Sequence, residues 1–230
     1  MNEDTSYTPV TFMRGRTAFN LENDPRSLPA YPPGDAARYL QLPPATLRSW
    51  AAGRKYPTSK GERFFRPLIA APESDSRLTL SFINLVEAHV LDAIRRTHGI
   101  ALPKVRRAIE FVKRELGSDH PLAERSFETD GVDLFLQEYG QLINVSRDGQ
   151  LAMKNVLEAY LERIERDSHG IAVRLYPFTR NRAASPNVRQ EPRAVVIDPR
   201  VSYGRPSWSA QGFQPPFSQS GTRPENPLKS

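Results

Sequence analysis

Between residues 81 and 116, apolar side chains return every three or four positions, and both resulting runs are bounded by helix signals. Phe82, Leu85, Val86, Val90 and Ile94 share one face of a predicted helix that Ser81 can cap and that ends near Thr97, before Gly99. After Leu102-Pro103, the positions Val105, Ile109, Val112 and Leu116 recur at helical spacing until Gly117 stops the second helix. Farther along, the pattern changes. Val132–Leu136 and Leu142–Ser146 are short apolar segments separated by Tyr139-Gly140-Gln141, which predicts a β-hairpin. Leu151, Val156, Leu157, Tyr160, Leu161 and Ile164 then give a helix over 151–166 a broad apolar face, and residues 171–176 alternate as a strand ending before Pro177. The expectation is a small β-sheet backed by one helix, within a fold of the α+β class that is mainly α.

Upstream, two short helices and a basic hairpin are written into residues 33–69. Gly34–Leu40 makes the first helix, with small residues where a second must cross closely, and Leu42-Pro43-Pro44 supplies a corner. Pro44 sits in the first turn of the second helix, where proline is welcome, and Gly53 ends that helix. Leu47 and Ala51 lie on its inner face, with Thr46 and Arg48 turned off it. Arg54–Pro57 and Arg63–Arg66 flank a turn-like Thr58–Gly61, so the helix pair leads into a positively charged wing. Helix and wing together suit the groove and phosphates of double-stranded DNA. Thr46, Arg48 and Ser49 are expected at base edges, and Arg54, Lys55, Tyr56, Lys60 and Arg63 at phosphates. Arg38 and Trp50 complete the set expected at the DNA. A second group of phosphate candidates follows on the next two helices: Arg95, Arg96, Lys104, Arg106, Arg107, Lys113 and Arg114.

Gly34–Leu40, Thr46–Trp50 and Gly53-Arg54 resemble the recognition unit of MerR-like winged helix-turn-helix proteins. More broadly, residues 31–203 resemble VapB-like antitoxins, which carry a MerR-like N-terminal domain, a middle region and a small C-terminal domain. The matching stretches include Leu80–Ala88, His120–Ala123, Gly131–Phe135 and Ile197–Pro206, and the resemblance spans roughly three quarters of the chain. It implies a type II toxin–antitoxin role with a PIN-domain ribonuclease as the toxin, and autoregulation by occlusion of the chain's own promoter. A protein-neutralising adaptor with vestigial DNA binding, or a solitary MerR-like regulator without a toxin, stays open beside it.

Charge sharpens this division. The net charge is +6, but residues 31–116 hold 15 Lys/Arg against 8 Asp/Glu, whereas 117–180 hold 7 against 11. Local positive charge favours counterion release from a phosphate backbone. The acidic β/α unit is the expected protein-contact or dimerisation module, because the 151–166 stripe exceeds what so small a sheet would cover, and a homodimer is expected. Hence the organisation reads as a flexible leader over 1–30, a DNA-binding domain over 31–116, an interaction unit over 117–180 and a linker with a stub of the C-terminal domain over 181–206. The stub, Val195–Pro206, offers an added strand. Residues 207–230 read as a disordered, Pro/Ser/Gln-rich tail. Reading Phe213–Ser230 one base out of frame permits a helix, a glycine stop and a Ser-x-x-Glu capping box like the family's C-terminal domain, so the tail is expected to follow a frameshift near Arg205–Ser209.

Chemistry narrows the rest. With no cysteine, disulfides and thiolate sites are excluded. His89, His98, His120 and His169 show no metal-ligand spacing, paired acids such as Glu158 and Glu162 read as a solvated helix face, and phosphate loops and nucleophile elbows are missing. Neither enzyme activity nor a metal or cofactor is expected. No apolar run approaches about 18 residues and no secretory signal opens the chain, so no membrane contact and a cytoplasmic location are expected.

Overall fold

The helix that follows Ser81 is the axis of the molecule. In the computed structural model, which describes residues 24–59, 61–74, 77–96, 102–143, 146–179 and 188–210, six helices and three two-stranded antiparallel hairpins appear among the described residues. The helices α1 (Pro33–Leu40) and α2 (Pro44–Ala52) lead into the hairpin β1 (Arg54–Thr58) and β2 (Gly61–Phe65). Helices α3 (Phe82–Arg96) and α4 (Leu102–Leu116) follow as expected, with Gly117 in the left-handed region at the end of α4. Ser81 Oγ accepts from the Asn84 amide and Asn84 Oδ1 from the Ser81 amide, both at 3.1 Å, which closes a reciprocal cap on α3.

Only one apolar face was expected of α3, yet every side chain from Ser81 to Ile94 is buried. The reason is that α1, α6 (Arg147–Leu161) and β4 (Ala172–Leu175) pack around it, together with the 3-10 turn Pro121–Ala123. Its polar positions are satisfied internally. Asn84 Nδ2 donates to Ala70 O and to Glu87 Oε2, both at 3.0 Å, and His120 Nδ1 donates to Glu87 Oε1 at 3.1 Å. His89 is a packing residue, as expected: its ring lies against Tyr160 and Phe178, and Nε2 donates to Tyr160 O at 3.1 Å. Tyr160 in turn donates its hydroxyl to Asp92.

Where a hairpin was expected over 132–146, residues 132–143 are a helix, and Asn144 and Val145 lie outside the described residues. Val132–Ile143 forms α5, preceded by a π-helical turn over Phe127–Gly131. Phe135 and Tyr139, one turn apart, stack at 5.5 Å in the core, and Gly140 faces the Gln150 side chain of α6 instead of making a turn. Helix α6 starts at Arg147, where Ser146 Oγ caps the Gly149 amide, and stops at Leu161, so Ile164–Arg166 is free to form β3 against β4. The apolar stripe expected to serve dimerisation is spent internally: Leu157, Tyr160, Leu161 and Ile164 are buried, and of the stripe only Leu151 is largely exposed.

Both ends of the described chain dock onto this body. Residues 24–30, expected to be part of a flexible leader, are anchored by Arg26, whose buried guanidinium pairs with Asp24 at 2.7 Å and Asp167 at 2.6 Å while its carbonyl accepts from the Ile83 amide. The stub adds one strand, β5 (Val195–Val196), and Ile197 bridges to Leu175, but the partner strand β6 (Ser207–Trp208) comes from the start of the tail that was expected to be disordered. One hydrophobic core runs from Tyr31 through α3, α5 and α6 to Ile197, crossing residue 116 without a break. The tail beyond Ala210, for which a frameshift was expected, lies outside the described residues, and no described helix is long and apolar enough to cross a membrane.

Candidate nucleic-acid interface

The corner between α1 and α2 is set by backbone geometry. Gln41 takes a left-handed conformation, the Leu42 amide donates to Ala37 O at 2.8 Å, and Pro44 opens α2. Leu47, Trp50 and Ala51 are buried against the body. Gly53 then turns the chain into the wing at φ +74°, and a Cβ there would lie 2.3 Å from Phe65 O. Glycine alone fits both the angle and the space.

Burial divides the expected DNA contacts into two groups. Arg48 projects from α2 into solvent, together with Ala45 and Ala52. Thr46 is half-buried and its hydroxyl accepts from Arg95 Nη1 at 2.8 Å, so the end of α3 delivers an exposed cation beside the first turn of α2. Ser49 and Trp50, by contrast, are 8% and 1% exposed. Neither can reach a base edge, which corrects the sequence expectation. Trp50 is a core residue whose carbonyl also receives the Leu68 and Ile69 amides, and the Ser49 hydroxyl is buried without a hydrogen-bond partner among the described residues.

In the wing, Arg54 pairs with Phe65, Lys55 with Phe64 and Tyr56 with Arg63. Alternation along the strands places Arg54, Tyr56 and Arg63 on one face and Lys55 and Glu62 on the other. Arg54 and Arg63 are exposed and Tyr56 half-buried. Lys55 ion-pairs with Glu62 at 3.1 Å, a partner that the hairpin register would have revealed in the sequence. Thr58 Oγ1 donates to Gly61 O across the loop, while Lys60 lies outside the described residues. Arg38 is exposed on α1, paired with Asp35 at 3.0 Å and stacked over Tyr39.

In the second group of basic residues, Arg106 has a structural role. Arg106 stacks over the Phe65 ring at 4.5 Å and donates to the Arg66 carbonyl, tying α4 to the base of the wing. Arg114 lies over Phe111, Lys104 and Lys113 are half-buried, Arg107 is exposed, and the Arg96 side chain lies outside the described residues. Behind the wing, Ala51, Leu68, Ile69 and Ile109 floor an open groove of about 470 Å³ with Arg106, Glu110 and Lys113 at its lip. Among the described residues, no group of His, Asp and Glu has the arrangement of a metal site.

Comparison with known proteins agrees with this geometry. Residues 29–109 match the family described as "Putative DNA-binding HTH domain". The X-ray crystal structure of Rv2018 from Mycobacterium tuberculosis is similar to this fold with a TM-score of 0.57 and 25% identity, over 81% of this chain and 82% of that one. The protein named "Putative antitoxin VapB45" from the H37Rv strain of that organism is 30% identical over 205 residues, or 81% of this chain and 80% of its own length. With a helix-turn-helix that exposes Arg48 and a relative matched across four fifths of its length, the chain belongs to the VapB-like antitoxins that carry an N-terminal helix-turn-helix domain.

Proposed function

We propose that this protein represses its own promoter by seating α2 in a major groove and gripping the flanking phosphates with the wing, and that it neutralises a PIN-domain ribonuclease toxin. The observation that carries the DNA half is the exposed Arg48 on α2, set beside the Thr46–Arg95 pair and followed within fifteen residues by the exposed cations Arg54, Lys55 and Arg63. Arg48 suits the paired acceptors of guanine, and the methyl groups of Ala45 and Ala52 suit thymine. Arg54, Lys55, Arg63 and Arg95 supply the sequence-independent grip, with Lys60 and Tyr56 at the wing and Arg38 on α1. The helix pair α3–α4 after the wing supports a MerR-like arrangement of residues 31–116, which meet DNA, while the acidic stretch 117–180 faces protein. The chain works as a cytoplasmic homodimer on a two-fold operator.

The toxin half rests on family membership, and the relative's name says antitoxin. Titrating the full chain into a PIN-domain ribonuclease encoded beside it should abolish RNA cleavage at about one equivalent. Undiminished cleavage at a large excess rejects neutralisation without touching DNA binding. Gel-shift titration with the upstream DNA and a scrambled duplex tests the other half, and equal affinity for both rejects operator recognition.

A further inference from the structure

Phe64 leaves an aromatic ring in the open on the basic wing: it is 55% exposed, although the next residue, Phe65, is only 7% exposed. Successive side chains of β2 point to opposite faces of the hairpin. Phe65 goes beneath the Arg106 guanidinium of α4, so its face is turned to the body and the face carrying Phe64 is turned away from it. The register sets Phe64 across from Lys55, at the base of the hairpin next to the end of α2.

The ring also reaches back to that helix. A Cβ on Gly53 would lie 2.6 Å from Phe64 Cζ and 3.2 Å from Cε1, so the ring rests over the residue that ends α2. Ala45, Arg48 and Ala52, spaced by three and four, make one exposed stripe along α2. Ala52 adjoins Gly53, and the stripe therefore continues from Arg48 through Ala52 to the Phe64 ring. On the same face of the hairpin Lys55 is paired with Glu62 at 3.1 Å, so what this end of the stripe offers is flat apolar surface more than charge.

We propose that Phe64 reads sequence: with α2 in a major groove, its ring packs on the C5-methyl group of a thymine at the end of the α2 footprint. This deepens the promoter-binding reading and rests on it. Thymine is the base such a ring selects, because its methyl is the apolar group displayed in the major groove while the other bases offer polar edges there. The exposed guanidinium groups of Arg48 on α2 and of Arg54 and Arg63 on the wing supply the attraction that carries the ring to the duplex.

Binding of the full chain to its upstream duplex, with each thymine in turn replaced by deoxyuridine, tests this, because deoxyuridine removes the methyl and keeps every hydrogen-bonding group. The wild type should lose affinity by about fourfold at one thymine next to the Arg48 contact, the worth of one buried methyl-sized group. Phe64→Ala should bind the unsubstituted duplex about as weakly and be indifferent to deoxyuridine at that position. It should keep the wild-type salt slope, since no phosphate contact is lost. Should Phe64→Ala unfold early, Phe64→Leu keeps apolar bulk on the wing and should show a reduced response at the same thymine. Wild type and Phe64 variants that respond alike at every thymine overturn the contact and leave promoter binding standing. A flattened salt slope in Phe64→Ala also overturns it, because the ring would then act by holding the cations of the wing in place. Equal wild-type affinity for upstream and scrambled duplexes overturns the promoter reading itself, and the contact falls with it.

Discussion

Neighbouring residues on α2 have opposite expected behaviours, because one side of the helix is covered and the other is not. Arg48→Ala removes an exposed guanidinium and should cost about 1–3 kcal/mol at the preferred operator while leaving scrambled DNA nearly unaffected. Ser49→Ala removes a buried hydroxyl without a partner among the described residues. It should leave operator preference unchanged and raise stability by about 1 kcal/mol in urea unfolding. A change in preference would return Ser49 to the interface. In the wing, Arg54→Ala or Arg63→Ala should weaken all duplexes alike and flatten the salt slope by about one, and Lys55→Ala should do less because Glu62 already shares its charge. The exposure of these cations was readable from sequence because cations turned off an apolar stripe mark the outer face. Ser49 and Trp50 were misread because nothing local reveals that the chain returns at Leu68 and Ile69 to cover that side.

At the level of elements, the two glycines Gly53 and Gly140 look alike in sequence and do different work. Gly53→Ala meets both a left-handed angle and the Phe65 carbonyl, so it should shift the wing, weaken DNA binding and cost about 1–3 kcal/mol of stability. Gly140 lies inside α5, and a Cβ there touches only the far end of the Gln150 side chain. Gly140→Ala should therefore be neutral or stabilise by up to about 1 kcal/mol in urea unfolding, whereas a glycine turn in a hairpin would lose stability. That segment was misread because glycine usually punctuates, and its β-branched and aromatic residues are shared by buried helices and strands. The helices α3 and α4 were legible from period and caps alone. What sequence could not convey is that α3 is enclosed on all sides, since its polar residues look like a solvent face until their partners are known.

Across the whole molecule, the His120–Glu87 bond joins the loop after α4 to the central helix. Burial opposes the His120 charge, but the hydrogen bond and negative charge of Glu87 outweigh it, with Lys113 opposing and Asp119 assisting, so its pKa is raised. The imidazolium thus contributes stability in full below the ordinary value of about 6.5, and that contribution is lost as pH rises through the higher folded value. Urea midpoints across that interval should fall more steeply for wild type than for His120→Asn, and parallel curves would remove the pair from the account. A single core means that residues 31–116 and 117–180 should unfold together, so a ligand bound to either should stabilise both. The most direct test of the central claim is fluorescence anisotropy of the full chain on its own upstream DNA and on a scrambled duplex, through a salt series, with Arg48→Ala alongside. The account predicts a clear preference for the upstream site that Arg48→Ala abolishes, and affinity that falls steeply with salt for both proteins. Salt-independent binding, or equal binding of both duplexes by the wild type, would contradict it.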